Sequence, residues 1–122
     1  MNPTRLLIID DHEDVRWALK TRLDAAPEIE VVGCTGCWET GVQEALEQEP
    51  DVVLLETKRT DGQGLEALQR LTQQCSCAQV LVLTSYLDAG ERESARSEGA
   101  ARCLLKDIDT ETLVEEIQSA AR

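Results

Sequence analysis

Asp10-Asp11, Glu56, Thr84-Ser85 and Lys106 each follow directly on a short aliphatic run: Leu6 to Ile9, Val52 to Leu55, Val80 to Leu83, and Leu104-Leu105. If those runs are neighbouring strands, three carboxylates, two hydroxyls and one ammonium converge on one rim. Clustered carboxylates repel and raise one another's pKa unless a cation sits among them. Mg²⁺ is the expected cation, because it takes oxygen ligands from one or two carboxylates together with a phosphate or water. A hydroxyl and an ammonium on the far side would then hold the remaining oxygens of a phosphoryl group. Singly, each of these residues reads as a strand end meeting solvent. Their joint occurrence, with the right types on successive strand ends, points to phosphoryl chemistry.

The elements that must position them alternate along the chain. Leu6-Leu7-Ile8-Ile9 reads as a strand buried on both faces, and Val15, Ala18, Leu19, Arg22 and Leu23 follow at helical spacing until Pro27. Ile29 to Val32 is a second strand ending at Gly33, and Trp38 to Glu49 a helix stopped by Pro50. Asp51 to Glu56 is the third strand, and a polar loop from Thr57 to Gln63 leads into a helix carrying Leu65, Leu68 and Leu71. Val80 to Thr84, Leu87 to Glu98, Arg102 to Lys106 and Thr110 to Ala121 complete the series. Five strand–helix units with continuous apolar strands imply a parallel sheet covered on both faces. Right-handed crossovers make the doubly wound arrangement the simplest topology, and such sheets bind ligands beyond the carboxyl ends of their strands.

Composition narrows the function classes. The chain has 122 residues, expected to be one domain spanning 1–122 with no output domain beside it. Asp plus Glu number 24 against 12 Lys plus Arg, a net charge of −12, so direct nucleic-acid binding is not expected. No apolar run approaches the ~20 residues that span a bilayer, and no signal-peptide core is visible, so a cytoplasmic location without membrane contact is expected. With no Phe, two Trp and one Tyr, the core must be aliphatic.

At this point the sequence resembles the receiver domains of two-component response regulators over its whole length. The motifs are Leu7-Ile8-Ile9-Asp10-Asp11-His12, Pro50 to Leu55, Asp61-Gly62-x-Gly64, Leu83-Thr84-Ser85-Tyr86 and Leu104-Leu105-Lys106-Asp107. The first, fourth and fifth look most like NarL/FixJ-type transcriptional regulators. The resemblance implies a flavodoxin-like (βα)5 receiver fold with strand order 2-1-3-4-5. It implies that Asp10 and Asp11 hold Mg²⁺, that the Lys58 backbone carbonyl and Glu56 join them, and that Thr84 binds the phosphoryl oxygens and moves on activation. Lys106 would pair with the acceptor carboxylate or its phosphate. The implied partners are a sensor histidine kinase, a C-terminal DNA-binding output domain or another protein, and a second copy of the chain as homodimer.

Two positions depart from that family's pattern. The phosphoacceptor is an Asp there and Glu56 here, whose extra methylene moves the carboxylate by about 1.5 Å. Misplacement of ~1 Å can cost a hundredfold in rate, so phosphotransfer to Glu56 is expected to be absent or very weak. The longer arm should bring negative oxygens toward Thr84 and Lys106, as an imperfect mimic of the phosphorylated state. Mg²⁺ binding would be weakened. The second departure is Cys103, where the family has a switch aromatic; it reads as a small buried hydrophobe. Tyr86 reads as a surface residue, His12 as a loop residue facing solvent, and Trp17 as the edge of its helix.

Five cysteines remain: Cys34, Cys37, Cys75, Cys77 and Cys103. Cys34-x-x-Cys37 and Cys75-x-Cys77 fall at opposite ends of the expected sheet, which argues against one four-cysteine metal site. Cys37 precedes a helix, where a thiol's pKa falls, so Cys34 and Cys37 form a candidate redox pair. The reading is a non-enzymatic receiver that controls an output through conformation or dimerisation. Its rivals are a thiol redox sensor on the same fold and a metal-dependent phosphotransfer enzyme. The latter of the Asp-nucleophile type needs an Asp-x-Asp pair after the first strand, which Asp10-Asp11-His12 does not supply.

Overall fold

A computed structural model describes residues 2–122. Its elements run β1 Thr4–Ile9, α1 Glu13–Asp24, β2 Ile29–Thr35, α2 Trp38–Gln48, β3 Val52–Leu55, α3 Gly64–Gln74, β4 Gln79–Thr84, α4 Ala89–Ser97, β5 Arg102–Leu105 and α5 Thr110–Ala121. The strands form one parallel sheet of order β2-β1-β3-β4-β5, the expected doubly wound topology.

The continuous apolar strands are explained by two cores, one on each face. Leu7, Ile9, Val53, Leu55, Val80 and Val82 meet Trp38, Val42 and Ala45 of α2, Leu68 and Leu71 of α3, and Ala95 of α4. The alternate residues Leu6, Ile8, Val52, Leu54, Leu81 and Leu83 meet Leu19 and Leu23 of α1 and Leu113, Val114 and Ile117 of α5. Each of these large aliphatic side chains gains ~1.5–3 kcal/mol from burial, so the sheet is stabilised through both faces. Among the described residues no helix is long and apolar enough to cross a membrane.

Several boundaries differ from expectation for local reasons. β2 does not stop at Gly33 but continues to Thr35, because its register against β1 slips between Leu6↔Val31 and Leu7↔Gly33. The slip brings Gly33 under α2, where a Cβ would lie 2.3 Å from Glu44 Oε2 and 2.7 Å from Leu7 Cδ1. The strand is therefore not ended by this glycine, and a Cβ here would require the Glu44 and Leu7 side-chain ends to move. α4 begins at Ala89, two residues later than the apolar spacing suggests. Asp88 caps it by accepting from the Glu91 amide at 2.7 Å, while Glu91 Oε1 accepts from the Asp88 amide at 3.1 Å.

Candidate functional site

The carboxyl ends of β1, β3 and β5 bring Asp10, Glu56 and Lys106 together. Asp10 and Glu56 are only 2% and 3% exposed, so each oxygen needs a partner. Lys106 Nζ supplies two bonds at once, to Asp10 Oδ2 at 2.7 Å and Glu56 Oε1 at 2.7 Å. Asp10 Oδ1 accepts from the His12 amide at 2.9 Å, and Glu56 Oε2 from the Lys58 amide at 2.9 Å. Burial pulls the Lys106 ammonium toward its neutral form, but the hydrogen bonds and charges of Asp10 and Glu56 outweigh it and hold its pKa above the ordinary value.

Asp11 turns aside from this group. Its Oδ2 accepts from the Thr60 amide at 2.7 Å and the Thr60 hydroxyl at 2.6 Å. Burial raises its pKa, the two Thr60 bonds lower it further than that, and Arg59 and His12 add to the lowering. Asp11 Oδ1 is buried and accepts no hydrogen bond, although His12 Nδ1 lies 3.3 Å away. Ligand atoms of Asp10, His12 and Glu56 lie within 4.8 Å of one another, close enough to hold a cation, and the unpartnered Asp11 Oδ1 lies outside that group.

Thr84 reaches the same end of the sheet, fully buried, with its hydroxyl oxygen unpartnered. Of the two contacts expected of the longer Glu56 arm, one is made. Glu56 does reach Lys106, but neither of its oxygens accepts from Thr84; one is taken by Lys106 and the other by the Lys58 amide. Ser85, the second hydroxyl expected at this rim, is exposed.

The loop after β3 is fastened on several sides. Arg59, whose side chain is 2% exposed, donates from Nη2 to the Gly36 carbonyl at 2.7 Å and pairs with Asp61. Trp38 Nε1 donates to Gln63 Oε1 at 2.7 Å. At Gly64 a Cβ would fall 1.8 Å from the Thr57 carbonyl oxygen, so only glycine lets α3 start against the residue that follows Glu56. Lys58 sends its ammonium outward to Glu91 of α4 at 3.1 Å and over the Tyr86 ring at 4.7 Å. A cleft of about 410 Å³ lies beside the rim, lined by Thr57, Lys58, Leu65 and Glu91 among others.

Residues expected elsewhere fall as follows. Cys103 is partly buried against the α2–α3–α4 core, and burial raises its thiol pKa. Tyr86 and Trp17 are exposed. All five cysteines are free, and among the described residues none joins a group with metal-ligand spacing. Burial raises the pKa of Cys34, whereas hydrogen bonds from the Thr40 side chain and amide lower that of exposed Cys37. The pair is therefore chemically unequal. His12 does not simply face solvent: its Nδ1 lies 3.2 Å from Asp10 Oδ1, and it groups with Asp10 and Glu56. Its adjacency to the acidic pair was the available signal. Thr60, Arg59 and Arg16, which donates to the Asp10 carbonyl at 2.7 Å, carried no sequence signal at all.

The model of the response regulator receiver domain family matches residues 6–118. The transcriptional regulatory protein LiaR of Bacillus subtilis is 35% identical over 97% of this chain and 56% of its own length. The nitrate/nitrite response regulator protein NarL of Escherichia coli is 32% identical over 98% of this chain and 55% of its own length. A solved signal receiver domain from Mycobacterium tuberculosis superposes with a TM-score of 0.91 at 22% identity, covering 99% of this chain and 98% of that one. The chain spans about half the length of the curated relatives it matches.

Proposed function

This chain belongs to the response regulator receiver domain family, and on that premise we propose that residues 1–122 act as one receiver unit of a NarL-like transcriptional regulator, with Glu56 in the acceptor's place. The unit controls a DNA-binding output domain through its conformation or through pairing with a second copy. It answers, where phosphate is used, to a sensor histidine kinase in the cytoplasm, and performs no turnover of its own. The observation that carries this reading is the meeting of Asp10, Glu56 and Lys106 at 2.7 Å beside a fully buried, unpartnered Thr84 hydroxyl.

Each side chain has a role in that reading. Lys106 neutralises two buried carboxylates and would stay with the acceptor when its charge changes. Thr84 keeps a donor in reserve for an oxygen that Glu56 does not supply. Asp10, Asp11, Glu56 and the Lys58 carbonyl would hold Mg²⁺, whose charge, when bound, offsets the carboxylates and orients a phosphoryl oxygen. Glu56 thus pairs with Lys106 as an unphosphorylated acceptor carboxylate would. The domain rests with its strand-four hydroxyl unengaged.

The test is intact mass after incubation with a small phosphodonor and Mg²⁺, on this chain and on Glu56→Asp. The expected result is no added phosphoryl group with Glu56 and addition on Glu56→Asp. Addition on neither would refute the assignment of this rim as a phosphoryl site.

A further inference from the structure

We propose that the cleft between α3 and α4 receives a small organic ammonium with an apolar body, and that Lys58 fills its cation subsite in the free chain. Leu65, 45% exposed on α3, Leu87 and the buried Ala95 of α4 give the cleft its apolar walls. Its volume of about 410 Å³ falls within the ~300–1,000 Å³ of small-molecule pockets. The polar groups converge on one spot. Lys58 Nζ lies 3.1 Å from Glu91 Oε2 and 3.3 Å from Glu91 Oε1, and 4.7 Å from the centre of the Tyr86 ring. A carboxylate and an aromatic face around one cation are the chemistry by which proteins recognise ammonium ligands.

The present occupant is a weak one. Lys58 reaches this spot on a flexible stem, and ordering that stem opposes the contact. Its side chain is 36% exposed and that of Glu91 41%, so water screens the ion pair. An ammonium carried on a hydrocarbon body makes the same contacts with carboxylate and ring, and also covers Leu65 and Leu87. Charge selects a cation over an anion, because Asp88 and Glu91 line the cleft against the single ammonium of Lys58 in a chain of net charge −12. The position gives such a site a use. The Lys58 amide holds Glu56 Oε2 at 2.9 Å, so whatever displaces the Lys58 side chain acts on the residue that holds Glu56. In a receiver whose acceptor is poorly placed for phosphotransfer, the cleft is a second input. That use rests on the receiver reading, whereas the binding does not.

Phenethylammonium chloride, 2-phenylethanol and sodium phenylacetate are titrated separately into this chain, Lys58→Ala and Glu91→Gln. Calorimetry reads affinity, methyl NMR reads the place of binding, and amide spectra are the fold control. Gln retains an acceptor oxygen for the Asp88 amide, so Glu91→Gln removes the charge and keeps the start of α4. We expect the ammonium to shift the Leu65, Leu87 and Ala95 methyl signals and to bind about tenfold more tightly than the alcohol or the acid. Its affinity should rise about tenfold in Lys58→Ala, where the internal competitor is gone, and fall about tenfold in Glu91→Gln. Equal affinity in all three chains would show a general attraction of cations to an acidic protein and overturn the proposal. Weaker binding in Lys58→Ala would make Lys58 a wall instead of an occupant and overturn it. Equal binding of the alcohol, or no binding of the ammonium to any chain, overturns it as well. None of these outcomes bears on phosphoryl addition to Glu56→Asp, so the receiver reading stands or falls by its own test.

Discussion

Replacing Thr84 by Val should stabilise this protein, the reverse of the usual outcome for a buried threonine. Thr84 is 0% exposed and its hydroxyl oxygen is unpartnered, so the folded state bears the desolvation of a polar group without a compensating bond. Such a group costs ~1–3 kcal/mol, and the methyl of Val fills nearly the same volume. A gain of about 1–2 kcal/mol follows. At ~2.1 cal/mol/K of unfolding entropy per residue, a chain of 122 residues shifts by about 4 °C per kcal/mol, so Tm should rise by about 4–8 °C. Urea unfolding followed by the fluorescence of buried Trp38 would measure it, with exposed Trp17 as background. Had the hydroxyl been bonded, the same change would cost ~1 kcal/mol, so the sign decides. A lowered midpoint would refute the claim that Thr84 waits unsatisfied. In Glu56→Asp carrying a phosphoryl group the sign should invert, since the hydroxyl would then have a partner.

Lys106→Met should destabilise by about 3 kcal/mol, because it strands the buried Asp10 and Glu56 carboxylates without their shared cation. A loss below ~1 kcal/mol in urea unfolding would show that the pair is solvated. Cys37 should be alkylated by iodoacetamide before Cys34, with half-maximal rate below pH 9.0 for Cys37 and above it for Cys34, since hydrogen bonds lower one thiol and burial raises the other. Thr40→Val should slow the Cys37 reaction; peptide mass mapping across pH reads both, and equal rates at the two cysteines would contradict the assignment.

The strands were legible because aliphatic runs such as Leu6 to Ile9 and Val52 to Leu55 have no other use in a chain of this charge, and both faces of the sheet need covering. Their ends were legible for the same reason, since the first polar residue after each run marks the rim. The course of β2 past Gly33 was not legible, because a glycine packed against the Glu44 and Leu7 side chains looks in sequence like a glycine that ends a strand. At the site, the convergence of these residue types on one rim followed from the strand ends, the pairing of Lys106 with Glu56 was implied by the family resemblance, and its second bond to Asp10 was not read. Nor was the direction in which the extra methylene of Glu56 would swing. It is decided by the Lys58 amide two residues on, a contact between backbone and side chain that residue types do not encode. The ties of Thr60 to Asp11 and Arg59 to Gly36 are of the same kind.

Those ties give the rim two different stiffnesses. Thr60 to Asp11, Arg59 to Gly36 and Gln63 to Trp38 stitch the loop after β3 to the ends of β1 and β2. On the other side Lys106 hangs from β5, a strand of four residues paired with one neighbour at the sheet's edge, and adjoining α4 buries only Ala95. The loop side of the rim is thus cross-linked to the ends of β1 and β2, whereas the β5 side is joined to it through the two ion pairs of Lys106.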